Sequence, residues 1–367
     1  MKICIYRPGA LGDLLVTLPC IQCLYERPGV QVTLIASPAW EAVARGMCHQ
    51  FLSCEDRSLL PLFAGESPLS SVLQPDFQKT FLFLARKDLV LEQGFSTLSA
   101  EVTWIRSRPD VAGRGWTYGQ SSPENSQEAA QMKISPGPRP EDLNQPSEIQ
   151  GANIRDFLFQ KFASSTEDAR RRPVPCWPIR INSQKSKVDC SEPFRGIANL
   201  NTSANLSAVL IHAGSGSPEK NWPLESYEKL ADLCIQYGLS VFWTLGPADG
   251  FIKQALIQKG VLPAPWPIQD HNQAAQHFLE CSLFELITVM RRIPMIMGND
   301  SGIIHLGAAM GLDVLSIFGR SDPNLWAPDG RSANIYCAGS QDCFPSEKEV
   351  LEILEKQLKA VRSRPIS

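Results

Sequence analysis

A chain of 367 residues, 43% apolar and 20% charged, is long enough to bury two globular cores. Its net charge of −3 gives no case for nucleic acid as a bulk partner and leaves at most a local basic face, as around Arg170–Arg172. The eleven cysteines are odd in number and mostly sit in apolar runs, which fits reduced, buried thiols in a cytosolic protein better than a disulfide framework. Cys20 and Cys23 form a CxxC on an expected helix without a matching second pair, a weak signal for zinc or redox work. Met1 leads straight into a strand-like run, so no signal peptide is expected, and no stretch of ~18 apolar residues reads as a membrane span.

In chain order, Lys2–Tyr6 reads as a strand, Pro8–Asp13 as a turn, and Leu14–Tyr25 as a helix containing Pro19. Val30–Ala36 is a second strand and Ala39–Gly46 a second helix, the opening of a doubly wound α/β domain. Phe81–Ala85 and Val102–Ile105 are further strand candidates. From Gly119 to Gly151 the chain turns rich in Pro, Ser, Gln and Glu and lacks core-forming residues, so a flexible insertion is expected. Ile154–Phe162 returns to helix, and a proline-punctuated crossover follows, ending near Ser207.

The second half alternates strands and helices as a second parallel sheet requires. Strands are expected at Val209–His212, Leu239–Leu245, Pro294–Met297 and Asp313–Phe318. Helices are expected at Leu224–Tyr237, Phe251–Lys259 and Leu283–Arg291, with a terminal amphipathic helix over Ser346–Val361. The run PMIMGNDSGIIHLGAAMG, Pro294–Gly311, reads as a buried strand, a sharp turn and a helix start with Asp300 as N-cap. Ser301 and Gly302 open that helix, and His305 shares a face with Ser301. Unpaired amides at a helix N-terminus suit a phosphate, Gly302 leaves room for a ligand, and His305 adds a donor. An ordinary turn would use the same residues simply to turn and cap, and that alternative stays open.

Ligands of open α/β sheets bind outside the carboxyl ends of the strands, so the turns Pro8–Asp13, Ala213–Lys220 and Gly298–His305 qualify. The loop AGSGSPEKNWP offers the backbone and hydroxyls of Ser215, Gly216 and Ser217, with Lys220 adding a full charge. It is not a P-loop, and a flexible loop with a surface lysine is the bland alternative. The turn GALGD, with Gly9, Gly12 and Asp13, is not a dinucleotide fingerprint; Asp13 sits at a helix start, where the dipole favours negative charge and where it could serve only as a cap. No DxD, HExxH or GxSxG occurs, so neither a metal-carboxylate site nor a cofactor is signalled.

The stretches RPGALGDLLVTLP, IHAGSGSPEKNWPLESY and GNDSGIIHLGAAMGLDVLSIFGRSDPNLWAP resemble glycosyltransferase family 9, the heptosyltransferase-like enzymes of lipopolysaccharide core assembly. Residues 47–205 depart from the family pattern. The resemblance implies a GT-B fold, two Rossmann-like domains facing across a cleft. It divides the chain into an acceptor-side domain (1–185, with insertion 119–151), a crossover (186–207), a domain for the nucleotide-sugar donor (208–345), and a helix and tail (346–367). It implies Asp13 as catalytic base, with Gly9 and Gly12 in the acceptor-side turn. It implies donor contacts from Ser215, Gly216, Ser217, Lys220, Asp300, Ser301, Gly302 and His305, with Asp249 as the candidate ribose contact. The implied reaction is an inverting, metal-independent transfer from a nucleotide-diphospho-sugar such as ADP-heptose to a lipopolysaccharide-core or related glycan or glycolipid acceptor. The implied location is cytoplasmic, with room for peripheral contact at the inner membrane. A GT-B sugar-nucleotide epimerase and a non-catalytic nucleotide-sugar-binding protein remain as alternatives.

Overall fold

The computed structural model describes residues 1–68, 76–107, 153–166, 173, 206–265, 268, 274–330 and 334–362. The expected insertion at 119–151, and the crossover apart from residues 206 and 207, lie outside them.

The first unit is a five-stranded parallel sheet in the order β3-β2-β1-β4-β5. Its strands are β1 (Lys2–Arg7), β2 (Gln31–Ala36), β3 (Gln50–Ser53), β4 (Lys79–Leu84) and β5 (Val102–Arg106). β1 and β2 are buried along most of their length, the signature of a sheet covered on both faces. The helix expected at Leu14–Tyr25 is two helices, α1 (Leu11–Val16) and α2 (Leu18–Tyr25). The break falls at Thr17 because Pro19 lacks an N–H; there it occupies the first turn of α2, where that N–H is not needed. The helix expected at Ala39–Gly46 is a 3₁₀ turn at Pro38–Trp40 followed by the short α3 (Glu41–Ala44). Helix α4 (Leu89–Ser96), capped by Asp88, had no sequence expectation; neither did the 3₁₀ helix Arg57–Ala64. Helix α5 (Ile154–Thr166) packs on β5, α1 and α2 and so belongs to this unit.

The second unit is a seven-stranded parallel sheet in the order β12-β11-β10-β6-β7-β9-β8. Its strands are β6 (Ala208–His212), β7 (Ser240–Thr244), β8 (Leu262–Pro263), β9 (Gln276–Leu279), β10 (Met295–Asn299), β11 (Asp313–Ile317) and β12 (Ile335–Ala338). Helices α6 (Leu224–Gln236), α7 (Gly250–Gln258), α8 (Leu283–Met290), α9 (Gly302–Met310), the one-turn α10 (Pro323–Trp326) and α11 (Glu347–Arg362) complete it. Ser282 and Glu285 form a reciprocal capping box at the start of α8. The terminal helix α11 packs on α6, burying Val350, Leu354 and Leu358 in the second unit's outer core.

One apolar cluster runs from α1, α2 and α5 of the first unit to the inner face of the second sheet, including Leu210, Ile287, Ile296 and Ile304. Both sheets reverse strand order beside a central strand, at β1/β4 and at β6/β10. The loops leaving β1, β6 and β10 therefore open at the switch points, where an α/β sheet leaves a crevice. Among the described residues no helix is long and apolar enough to cross a membrane.

Candidate active site

The turn after β1 is shaped by Gly9, whose φ of 134° is open only to glycine. It delivers Asp13 to the first turn of α1. One carboxylate oxygen accepts from Ala10 N at 3.3 Å, and the other lies 3.4 Å from the guanidinium of Arg7. Arg7 is buried and also donates to the carbonyls of Asp13 (3.0 Å) and Phe83 (3.1 Å) and to Thr17 Oγ1 (3.0 Å). Asp13 thus caps its helix, as the bland reading allowed, yet its side chain stays 20% exposed. Capping and solvent access coexist in this geometry.

Opposite Asp13 lies the turn after β10. Here the structure shifts the expected cap by one residue: Ser301 is the N-cap, in an extended conformation. Asp300 precedes it and is buried. Its Oδ2 accepts from Lys220 Nζ (2.9 Å) and from Ser321 Oγ (2.6 Å), and its Oδ1 faces His305 Nε2 at 3.4 Å. Burial alone would raise the Asp300 carboxyl, but the His305 hydrogen bond, the Lys220 charge and the Ser321 hydroxyl outweigh it and hold it well below the ordinary range. The Ser301 hydroxyl is buried and has no partner among the described residues. The first intrahelical bond of α9 is His305 N to Ser301 O, so the amides of Gly302, Ile303 and Ile304 lie ahead of it at the positive end of the helix.

His305 is the residue expected to add a donor for a phosphate. It is buried, and both ring nitrogens are engaged: Nδ1 by Arg155 Nη2 at 2.5 Å, Nε2 by Asp300. Burial lowers its proton affinity first; Arg155 and Lys220 lower it further, against the opposing pull of Asp300. Asp249, expected to meet a ribose, is buried too. Its Oδ2 accepts from Gly246 N at 2.6 Å, and a Cβ on Gly214 would stand 2.0 Å from its Oδ1, so it braces the loops after β6 and β7. Ser215 is bound within its own loop, its hydroxyl donating to Ser217 O at 2.6 Å, while Gly216 is exposed. Cys20 and Cys23 are buried thiols, and no metal-binding cluster involving them occurs among the described residues.

At Gly302, expected to leave room for a ligand, the other domain approaches closely. A Cβ on Gly302 would come within 2.7 Å of Gly12 N and 2.8 Å of Leu11 Cβ, so the starts of α1 and α9 touch across the cleft. Gly302→Ala is expected to cost about 1–3 kcal/mol of this contact through overpacking. Hydrogen exchange at Leu11–Leu14 should then speed up while the sheets keep their protection. Unchanged exchange at α1 would show that the contact does not depend on the missing side chain.

Sequence reasoning passed over several residues of this site. Asn299, fully buried, accepts from Trp222 N (2.9 Å) and Tyr227 OH (2.8 Å) and donates to Ala213 O (2.6 Å), tying the Lys220 loop to the Asp300 turn. Its signal was a polar residue ending a fully buried strand. Ser321 comes from the loop after β11, and its motif carried no chemical signature. Arg155 is a charge on the apolar face of α5, beside Ile154, Leu158 and Phe162, the pattern that betrays a buried partner.

Two Rossmann-type parallel sheets with their switch-point loops apposed define the GT-B class. The solved structures agree on the fold: E. coli heptosyltransferase WaaC with ADP superposes at a TM-score of 0.60 and 14% identity, over 97% of this chain and 99% of that one. The structure of E. coli ADP-heptose lps heptosyltransferase II gives 0.61 at 14% identity, over 99% and 100%. The model of glycosyltransferase family 9 (heptosyltransferase) matches residues 172–355, half the chain, and the chain belongs to that family. Lipopolysaccharide heptosyltransferase 1 of Campylobacter coli is 32% identical over 117 residues, which span 32% of this chain and 33% of that relative.

Proposed function

We propose that the protein is an inverting glycosyltransferase that moves a sugar, a heptose by its family, from a nucleotide-diphospho-sugar to a lipopolysaccharide-core or related glycan acceptor. The observation that carries this reading is the apposition of α1 and α9, which sets a partly exposed carboxylate opposite a cationic helix start. Inverting transfer needs a base on the acceptor hydroxyl and stabilisation of the departing diphosphate on the other side of the anomeric carbon. Asp13 takes the proton as the hydroxyl oxygen attacks that carbon. The glycosyl C–O bond breaks as the new bond forms, and its electrons leave with the diphosphate. Lys220, the Ser301 hydroxyl and the leading amides of α9 receive the developing charge. ADP is the nucleotide bound in the WaaC structure, and it is the first ligand to test here.

On the acceptor side, an open depression of about 690 Å³ lies at the carboxyl end of β4, lined by Tyr6, Leu84, Arg86, Lys87, Asp88 and Leu91. Its cations suit an acceptor bearing carboxylates or phosphates. A transfer assay with ADP-heptose and an inner-core glycan, read as ADP release and product stereochemistry, tests the reading. Retention of configuration would overturn the single-displacement mechanism. The Lys220 charge and helix amides are positioned to take the role a divalent cation plays elsewhere, so turnover is expected to survive EDTA. Turnover abolished by the chelator and restored by magnesium or manganese would contradict that mechanism.

A further inference from the structure

Arg155 reaches out of the first unit into the second. Its helix α5 packs on β5, α1 and α2, while its guanidinium lies against the loops of the other sheet. Nη1 donates to Ala327 O at 2.8 Å, and Nη2 meets His305 Nδ1 at 2.5 Å. The residue is 1% exposed although it carries a full charge. A guanidinium only donates, so Nδ1 of His305 must be the acceptor and bear no proton. The remaining ring proton of the neutral imidazole is then on Nε2, which faces Asp300 Oδ1. Asp300 in turn holds Lys220 through its other oxygen.

We propose that Arg155 is a positioning residue for the donor site: it fixes His305 in the neutral Nε2–H tautomer, and through His305 and Asp300 it orients Lys220 at the diphosphate cradle. The inference deepens the reading of that cradle as a diphosphate site and rests on it. The chain of contacts has one donor and one acceptor at each junction; Arg155, which only donates, fixes its polarity from the Nδ1 side, as Asp300, which only accepts, does from the Nε2 side. Without the guanidinium, His305 is free to place its proton on Nδ1 or to take a second one. The first choice turns a bare nitrogen towards Asp300, and the second adds a charge beside Lys220. Either rearrangement displaces Asp300 and loosens Lys220. Because Arg155 stands on a helix of the first unit, the grip on the donor also depends on how that unit is seated.

The test uses the full chain labelled with ¹⁵N-histidine. It has five histidines, and His305 is identified by the signal missing from His305→Gln. In the wild-type protein at pH 7, His305 should show a bare Nδ1 and a protonated Nε2. Arg155→Met should abolish that signature and weaken ADP binding about tenfold by calorimetry, the scale of one charge-assisted hydrogen bond. His305→Gln should weaken ADP to a similar extent, and the double variant no further, because the two residues act in series. Should Arg155→Met fail to fold, Arg155→Leu, which likewise has no donor, serves in its place. An unchanged His305 signature in the Arg155 variant, or losses that multiply in the double variant, would overturn the proposal. A wild-type protein that binds no ADP or other nucleoside diphosphate would instead sink the diphosphate reading, while the tautomer comparison still judges the Arg155–His305 link.

Discussion

Asp13→Asn should lower turnover by about 10²–10⁴-fold, the usual contribution of a positioned general base. The fold should survive. An asparagine oxygen can still accept from Ala10 N, and Arg7 keeps its bonds to Asp13 O, Thr17 Oγ1 and Phe83 O. ADP affinity should hardly move, because the proposed diphosphate cradle is on the other domain. If Asp13 does nothing but cap α1, asparagine is an equally good cap and turnover should stay near wild type. The structure makes this comparison sharper than the sequence did, since the carboxylate caps and also stays partly exposed. Near-normal turnover in the folded variant would leave Asp13 as a cap and send the search for the base elsewhere in the first domain.

Lys220→Ala should weaken ADP by about ten- to a hundredfold, the equivalent of losing one contact of ~1.5–3 kcal/mol to a charged group. Lys220 is held on Asp300 and remains partly exposed, so its charge lies beside the α9 start rather than buried away from it. The variant leaves Asp300 with His305 and Ser321 as partners, which keeps the turn assembled. An ADP affinity equal to wild type would remove Lys220 from the cradle.

The strands of both central sheets were legible because they are short runs of Val, Ile, Leu and Phe bounded by glycine and proline turns. The edges were not. Gln50–Ser53 and Gln276–Leu279 are short and mixed in polarity, and β12, Ile335–Ala338, is only half buried, so none carries a periodic signal strong enough to separate it from loop. The split at Thr17 was readable from Pro19 in principle, but the apolar face of α1 and α2 runs on across it. The candidate site was readable as a proposal where one turn holds several of its residues, as in Asp300–Ser301–Gly302. It was not legible where a role depends on distant partners. His305 looked like a donor because helical spacing shows which face a residue shares but not what already occupies it. Arg155 lies 150 positions away along the chain, and only the packing of α5 against the second sheet brings them together. At Gly302 the close approach of the α1 backbone likewise comes from packing between distant parts of the chain.

The central claim is that chemistry and donor binding are divided between two domains, with Asp13 on one and Lys220 on the other. Steady-state ADP release from ADP-heptose in the presence of an inner-core glycan, paired with ADP affinity on the same samples of wild type, Asp13→Asn and Lys220→Ala, tests it most directly. The account predicts a split: Asp13→Asn loses turnover and keeps its affinity, whereas Lys220→Ala loses affinity. A wild-type protein that releases no ADP, or variants that lose turnover and affinity in equal measure, would contradict it.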